Sequence, residues 1–143
     1  MSKKDYSCLN LSNQLCFPLY AASKEIISKY KPILDEIGLT YTQYITMMVL
    51  WEYGTISVRD MGKLLYLDSG TLTPLLKKLE QKGFVERKRD SIDERILNVT
   101  VTQSGLLLRD KAVTVPSRMS SKVKLTKKEK DFLCEILKKI LDD

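Results

Sequence analysis

The sequence predicts a mainly α-helical domain with one small β-hairpin, and three observations predict it. Apolar residues recur at three- and four-residue steps through most of the chain. Only the stretch from Phe84 to Val101 changes period, to two short runs flanking a polar turn. The chain has 143 residues, 43% of them hydrophobic and 29% charged, enough for one ordinary core.

Taken in order, the arm to about Asn10 is polar and expected to be loose. A first helix is expected from about Leu11 to Tyr30, on the spacing of Leu15, Leu19, Ala22 and Ile26. Pro18 falls in its early turns, where proline is best tolerated. Lys31-Pro32 should interrupt or kink it, with Gly38 ending a short continuation through Leu34 and Ile37. Thr40 and Gln43 have capping-box spacing ahead of a second, largely apolar helix that Gly54 stops. Ile56-Ser57-Val58 allows only a minimal strand. Ser57 and Asp60 repeat the cap spacing before a short helix marked by Val58, Met61, Leu64 and Leu65. After a turn at Tyr66-Leu67, Asp68 or Ser69 caps a helix carrying Leu72, Leu75, Leu76 and Leu79, which closes at Gly83.

Phe84 to Arg87 and Ile96 to Val101 then read as strands around the turn Asp90-Ser91-Ile92-Asp93-Glu94. Thr102 starts another helix through Leu106, Leu107 and Ala112 that loosens near Pro116. Thr126 and Glu129 form a further capping box, and Phe132, Leu133, Ile136, Leu137, Ile140 and Leu141 make the apolar stripe of the last helix. Helix, short helix, helix, hairpin is the order of a winged helix-turn-helix. We therefore expect one domain over 1–143, with the winged module at 40–101 and dimerisation helices at 9–37 and 102–143. The flanking stripes exceed what the small central module can cover, which points to a homodimer.

Composition narrows the chemistry. The chain has no histidine, which removes Ser-His-Asp and Cys-His catalysis, histidine metal sites and histidine pH switches. Its three cysteines, Cys8, Cys16 and Cys134, form no CxxC and no disulfide framework, which fits a reducing cytosol. No apolar run approaches the roughly 18–20 residues that span a bilayer, and Met1–Ser7 lacks an apolar signal core. The expectation is a cytoplasmic, non-enzymatic protein with no metal, no cofactor and no membrane partner. Lys and Arg number 24 against 18 Asp and Glu, a net charge of +6, which suits a polyanionic partner.

Double-stranded operator DNA is the partner the ordered pattern favours. Asp68, Ser69, Thr71 and Thr73 place small polar groups at the start of the would-be recognition helix, and Lys77, Lys78 and Lys82 follow. The hairpin adds Arg87, Lys88, Arg89 and Arg95, with Asp93 placed to orient Arg95 through a charge-assisted pair. Polar groups at a helix N-terminus beside a basic wing are what insertion into a groove with phosphate clamping needs. Any one of these lysines, taken alone, reads as well as part of a solvated helix face.

The run from Leu67 to Glu80 (LDSGTLTPLLKKLE), followed by Gly83-Phe84-Val85 and by Arg87-Lys88-Arg89-Asp90 through Asp93-Glu94-Arg95, resembles the MarR family of winged-helix repressors. Asp93 and Arg95 match that family's Asp-x-Arg wing signature. Asn13-Gln14-Leu15-Cys16-Phe17 with Leu19-Tyr20-Ala21-Ala22-Ser23 is similar to the OhrR-type organic hydroperoxide sensors of that family. This resemblance implies a repressor released from DNA when Cys16 is oxidised by an organic hydroperoxide.

Cys16 also reads as a small buried hydrophobe of an apolar helix. Against that, it lies in the first turns of a helix, where the dipole favours an anion, and Tyr20 lies one turn on. Tyr30 is fourteen residues on, about 21 Å along the axis at the α-helical rise, and so beyond reach of its own Cys16. The resemblance implies that the tyrosines matching Tyr30 and Tyr41 come from the other subunit and donate to the sulfur. It also implies an apolar peroxide pocket, to which Phe17, Leu19 and Met or Trp side chains of the second helix would contribute. Two-cysteine members carry a resolving cysteine before the final helix, but Val113 to Leu125 contains none. That departure implies a one-cysteine scheme, with Cys16 sulfenic acid passing to a mixed disulfide with a low-molecular-weight thiol, or to over-oxidation. Two alternatives remain: a MarR-type repressor released by a small ligand, with Cys16 structural, and a thiol peroxidase, which leaves the basic wing unexplained.

Overall fold

The structure is a computed structural model that describes residues 2–142; Met1 and Asp143, the ends of the expected domain, lie outside it. Two 3-10 turns, Ser7–Leu9 and Leu11–Asn13, precede α1 (Cys16–Asp35). The first helix therefore starts at Cys16 and not at Leu11. The amides of Asn13 and Gln14 fold back to donate to the Ser7 carbonyl at 2.8 Å and the Cys8 carbonyl at 2.7 Å. These side-chain bonds compete with the helical ladder and hold the segment in tight turns. Pro18 then sits at the third helical position, where its missing N–H is one the helix would leave unpaired anyway.

Pro32 does not interrupt α1, which runs through it to Asp35. The carbonyl it leaves without a helical partner, that of Ser28, belongs to an exposed residue. Ile33 and Leu34, each 1% exposed, anchor the last turn in the core. Tertiary burial thus outweighs a break that local propensity alone predicts.

The winged module follows as α2 (Tyr41–Tyr53), β1 (Thr55–Ser57), α3 (Val58–Leu65), α4 (Ser69–Gln81), β2 (Val85–Arg89) and β3 (Leu97–Val101). Thr40 and Gln43 form a reciprocal capping box. Ser57 caps α3 through the Asp60 N–H, and Asp68 caps α4 through the Thr71 N–H at 2.7 Å. The minimal strand is real but not isolated. It pairs antiparallel with β3, Ile56 opposite Val99, giving a three-stranded sheet in the order β1-β3-β2. The hairpin register sets Arg87 opposite Val99 and Arg89 opposite Leu97.

Beyond the wing come α5 (Gln103–Ala112), α6 (Val115–Ser120) and α7 (Lys127–Leu141). The loosening expected near Pro116 is a new helix, because Pro116 occupies a first-turn position and Val115 and Met119 reach the core. α7 opens with the expected capping box at Thr126 and Glu129. Met47, Leu50, Met61, Leu72, Leu76, Leu79, Val85 and Val99 are fully buried between α2, α3, α4 and the sheet.

Gly105 sets how closely α5 meets this core. A Cβ there would collide with the Phe84 carbonyl oxygen and lie 2.7 Å from Val101 Cγ2. The Gly105 carbonyl accepts the Trp51 indole N–H at 2.8 Å. Thr102 caps α5 through the Gly105 N–H, and its own N–H donates to the Phe84 carbonyl at 3.0 Å. α5 and the root of the wing are thus tied to the same residues.

Two elements lack such partners. No residue of α7 is buried, and in α1 only Ile33 and Leu34 are. Leu15, Tyr20 and Phe132 are 73%, 61% and 64% exposed in the single chain.

Candidate nucleic-acid interface and cysteine site

Ser69, Gly70, Thr71 and Thr73 are exposed over the first turns of α4, and Lys77 and Lys78 are exposed farther along it. Asp68 and Arg87 have structural partners. The Asp68 carboxylate accepts the Thr71 N–H, which holds it below the usual carboxylate range. Arg87 is half-buried. Its Nε and backbone N–H both donate to Glu80 Oε2 at 3.1 Å, binding the wing to the C-terminal half of α4. Thr73 donates its hydroxyl to the Ser69 carbonyl at 2.8 Å, the back-bonding usual for a helical threonine. Arg89 is exposed on the wing.

The wing turn is more ordered than its composition suggests. Asp90 Oδ2 accepts the Ile92 and Asp93 N–H groups at 3.1 and 3.0 Å, while Oδ1 accepts the Asn98 amide at 3.0 Å. Those backbone donors, that of Asp93 foremost, hold the Asp90 carboxyl below its ordinary range. Sequence reasoning missed this role, although an aspartate opening a turn is the signal for side-chain-to-backbone bonds of this kind. Asp93 binds Arg95 in bidentate fashion, Nε and Nη2 each at 3.0 Å, with the Arg95 side chain 91% exposed. The guanidinium in turn depresses the Asp93 carboxyl. The sequence expectation that Asp93 orients Arg95 matches this geometry.

The four expected cysteine-site residues divide into two groups. Cys16 is the first residue of α1 and is exposed, with Tyr20 one turn on. Lys24 Nζ stands 5.2 Å from the Tyr20 ring centre. Tyr30 and Tyr41 lie together where α1 meets α2, ring centres 4.9 Å apart, and Tyr44 joins them at 5.9 Å from Tyr30. Burial raises the Tyr30 and Tyr41 phenols above their ordinary value, keeping both as O–H donors. Tyr44, which the sequence did not single out, is 4% exposed and packs edge-on against Trp51.

An apolar groove of about 570 Å³ runs between α1 and α7, lined by Leu15, Pro18, Leu19, Ala22, Ile26, Ile27, Tyr41, Leu133 and Leu137. Leu19 lines this groove; Phe17 does not, and of α2 only Tyr41 does, with Met47 in the core and Trp51 bonded to α5. Cys8 and Cys134 are both exposed and free. Among the described residues no helix is long and apolar enough to cross a membrane, and no cluster of ligands is placed to hold a metal.

Comparison with known proteins adds the family. The family model described as "Transcriptional regulator SarA/Rot" matches residues 28–111. The organic hydroperoxide resistance transcriptional regulator of Bacillus subtilis is 52% identical over 108 residues, 76% of this chain and 74% of that one. Among solved structures, AbfR, known from Staphylococcus epidermidis, is similar in several states. Reduced AbfR bound to DNA is 37% identical, with a TM-score of 0.76 and 92% of each chain covered. Overoxidised AbfR bound to DNA gives 36% and 0.76, covering 92% of this chain and 93% of that one. Disulfide-formed AbfR gives 36% and 0.63, covering 92% and 90%. On these matches, with the winged architecture, the chain belongs to the SarA/Rot family of transcriptional regulators, within the MarR-type winged-helix class.

Proposed function

We propose that this regulator is a homodimeric, DNA-binding repressor released from its operator when Cys16 is oxidised by an organic hydroperoxide. The observation that carries the reading is the split between Cys16 and its tyrosines. Cys16 is exposed at one end of a helix that is largely uncovered in the single chain, and the Tyr30–Tyr41 pair stands at the other. Antiparallel association of two α1 helices brings the partner's end of that helix to each sulfur, and the exposed stripes of α1 and α7 give such association its apolar area. The dimer presents two α4 helices and two wings to half-sites about one helical turn, roughly 34–36 Å, apart.

The chemistry balances without a cofactor. The Cys16 thiolate attacks the terminal oxygen of the peroxide, the O–O bond breaks, and sulfenic acid and an alcohol result after one proton transfer. A low-molecular-weight thiol then displaces water from the sulfenic acid, leaving a mixed disulfide. AbfR is known bound to DNA both reduced and overoxidised. That supports a release step that needs more than oxygen added to sulfur. A bulky adduct on the dimer arm is accommodated by moving helices, which changes the separation of the two α4 helices and forfeits specific binding.

The test is operator binding by reduced protein, then after cumene hydroperoxide with and without a small thiol. Release that requires Cys16 and the thiol supports the reading. Cys16→Ser should bind DNA and ignore the peroxide; full peroxide sensitivity in that variant sinks it. Mass spectrometry should find the thiol on Cys16. A Cys16–Cys8 or Cys16–Cys134 bridge as the main product would replace the one-cysteine scheme.

The apolar groove between α1 and α7 supports a second reading, release by a small aromatic ligand with Cys16 a bystander. A Cys16→Ser protein still displaced from DNA by such a ligand would favour it.

A further inference from the structure

We propose that Ile92, at the tip of the wing, is a specificity-determining contact that packs against the sugar walls and floor of an A·T-rich minor groove. The proposal rests on the DNA-binding reading above. At 96% exposure, Ile92 is the most exposed large apolar side chain among the described residues. It stands in a turn that is otherwise Asp90, Ser91, Asp93, Glu94 and Arg95, where folding gains nothing from an isoleucine.

Its backbone is fixed all the same. The Ile92 N–H donates to Asp90 Oδ2, the Asp90 N–H donates to the Ile96 carbonyl at 2.8 Å, and Asn98 holds the other Asp90 oxygen. An apolar group presented on a rigid turn loses little freedom when it is covered, so most of its burial appears as affinity. Three residues away, the Arg95 guanidinium projects into solvent on the Asp93 carboxylate. A narrow A·T minor groove carries the enhanced negative potential that draws an arginine. The two side chains therefore act in complementary ways, Arg95 supplying charge and Ile92 supplying contact without charge.

The same chemistry dictates a base preference. The floor of an A·T minor groove carries only acceptors, whereas guanine raises its N2 amino group into the groove. A hydrocarbon side chain against that amino group leaves a donor without a partner. Ile92 thus reads the groove by exclusion, rejecting G·C without bonding to A·T.

The experiment uses full-length protein and a duplex that it selects from a pool of random sequences. Hydroxyl-radical protection locates the flanks that the wings cover. Ile92→Ala and Ile92→Ser should weaken binding about five- to tenfold, the share expected from part of an isoleucine side chain, with the salt slope unchanged. Arg95→Ala should instead lower that slope by about one. Replacing A·T by G·C in the flanks should weaken the parent more than it weakens Ile92→Ala, and inosine·C, which lacks the N2 amino group, should restore the parent. Parent-like binding by both Ile92 variants on every duplex overturns the proposal, as does a loss that comes with a reduced salt slope. If the parent enriches no duplex, the DNA-binding reading itself fails and this proposal falls with it.

Discussion

Gly105→Ala tests the packing that seats the wing. The added methyl meets the Phe84 carbonyl oxygen, Val101 Cγ2 at 2.7 Å and Met47 Cε at 3.2 Å. The methionine can turn away, but a backbone carbonyl cannot, so α5 must lift. Overpacking of this kind costs about 1–3 kcal/mol, and the fixed carbonyl argues for the upper end. Lifting also strains the Trp51–Gly105 bond, worth about 1 kcal/mol, while alanine recovers about 1 kcal/mol of helix propensity. The net is a destabilisation of about 3 kcal/mol, or roughly 10 °C in Tm. Thermal unfolding at fixed protein concentration measures it, because a dimer's midpoint moves with concentration. Trp51 is the only tryptophan, so its emission should report the lost bond directly. Gly70→Ala is the control. Its Cβ would touch only Asp68 Oδ1, at 3.4 Å, and it should be neutral or slightly stabilising. If Gly105→Ala melts with the parent and leaves Trp51 emission unchanged, α5 does not lie against the Phe84 carbonyl.

Three further outcomes are expected. Arg95→Ala should bind the operator much more weakly while melting like the parent, because an exposed wing arginine carries little folding energy; parent-like binding at physiological salt would remove the wing from the interface. Tyr30→Phe and Tyr41→Phe should each slow peroxide-driven release without weakening DNA binding by reduced protein; stopped-flow anisotropy checks this, and unchanged rates in both would separate the tyrosines from the sulfur. Asp90 and Asp93 have folded-state carboxyls below the ordinary value, so the order they give the wing is complete above about pH 4 and is lost as pH falls through the depressed values. The amide shifts of Ile92 and Asp93 should therefore persist below that pH, and a change centred on the ordinary carboxylate range would contradict the bonding at Asp90.

Features carried by short-range chemistry were legible in the sequence. The caps at Thr40, Ser57 and Thr126 accept the N–H groups their spacing implies, Asp68 rather than Ser69 caps α4, and Thr102 caps the helix it was expected to start. The Asp93–Arg95 pair was legible for the same reason, being two residues apart. What local spacing could not give depended on distant partners. Pro32 stays helical because Ile33 and Leu34 are buried beneath it. Thr55–Ser57 counts as a strand because residues 98–100 pair with it. Arg87 looked like a free wing cation until Glu80, on another element, took it. Of the candidate cysteine site, sequence spacing gave the separation of Cys16 from Tyr30 along α1. The clustering of Tyr30, Tyr41 and Tyr44 needed the fold, since it depends on how α1 turns into α2.

The position of β2 at the outside of the sheet has a consequence for solubility. Its outer edge faces any passing strand, an opening to intermolecular β-pairing that Glu80 blocks only at the Arg87 N–H. Glu86, Lys88 and Arg89 stud that edge with charge that such a neighbour would have to desolvate. Variants that strip Lys88 and Arg89 to weaken DNA binding therefore also disarm a guard against aggregation. Charge-reversed replacements at these positions keep that guard, and neutral ones do not.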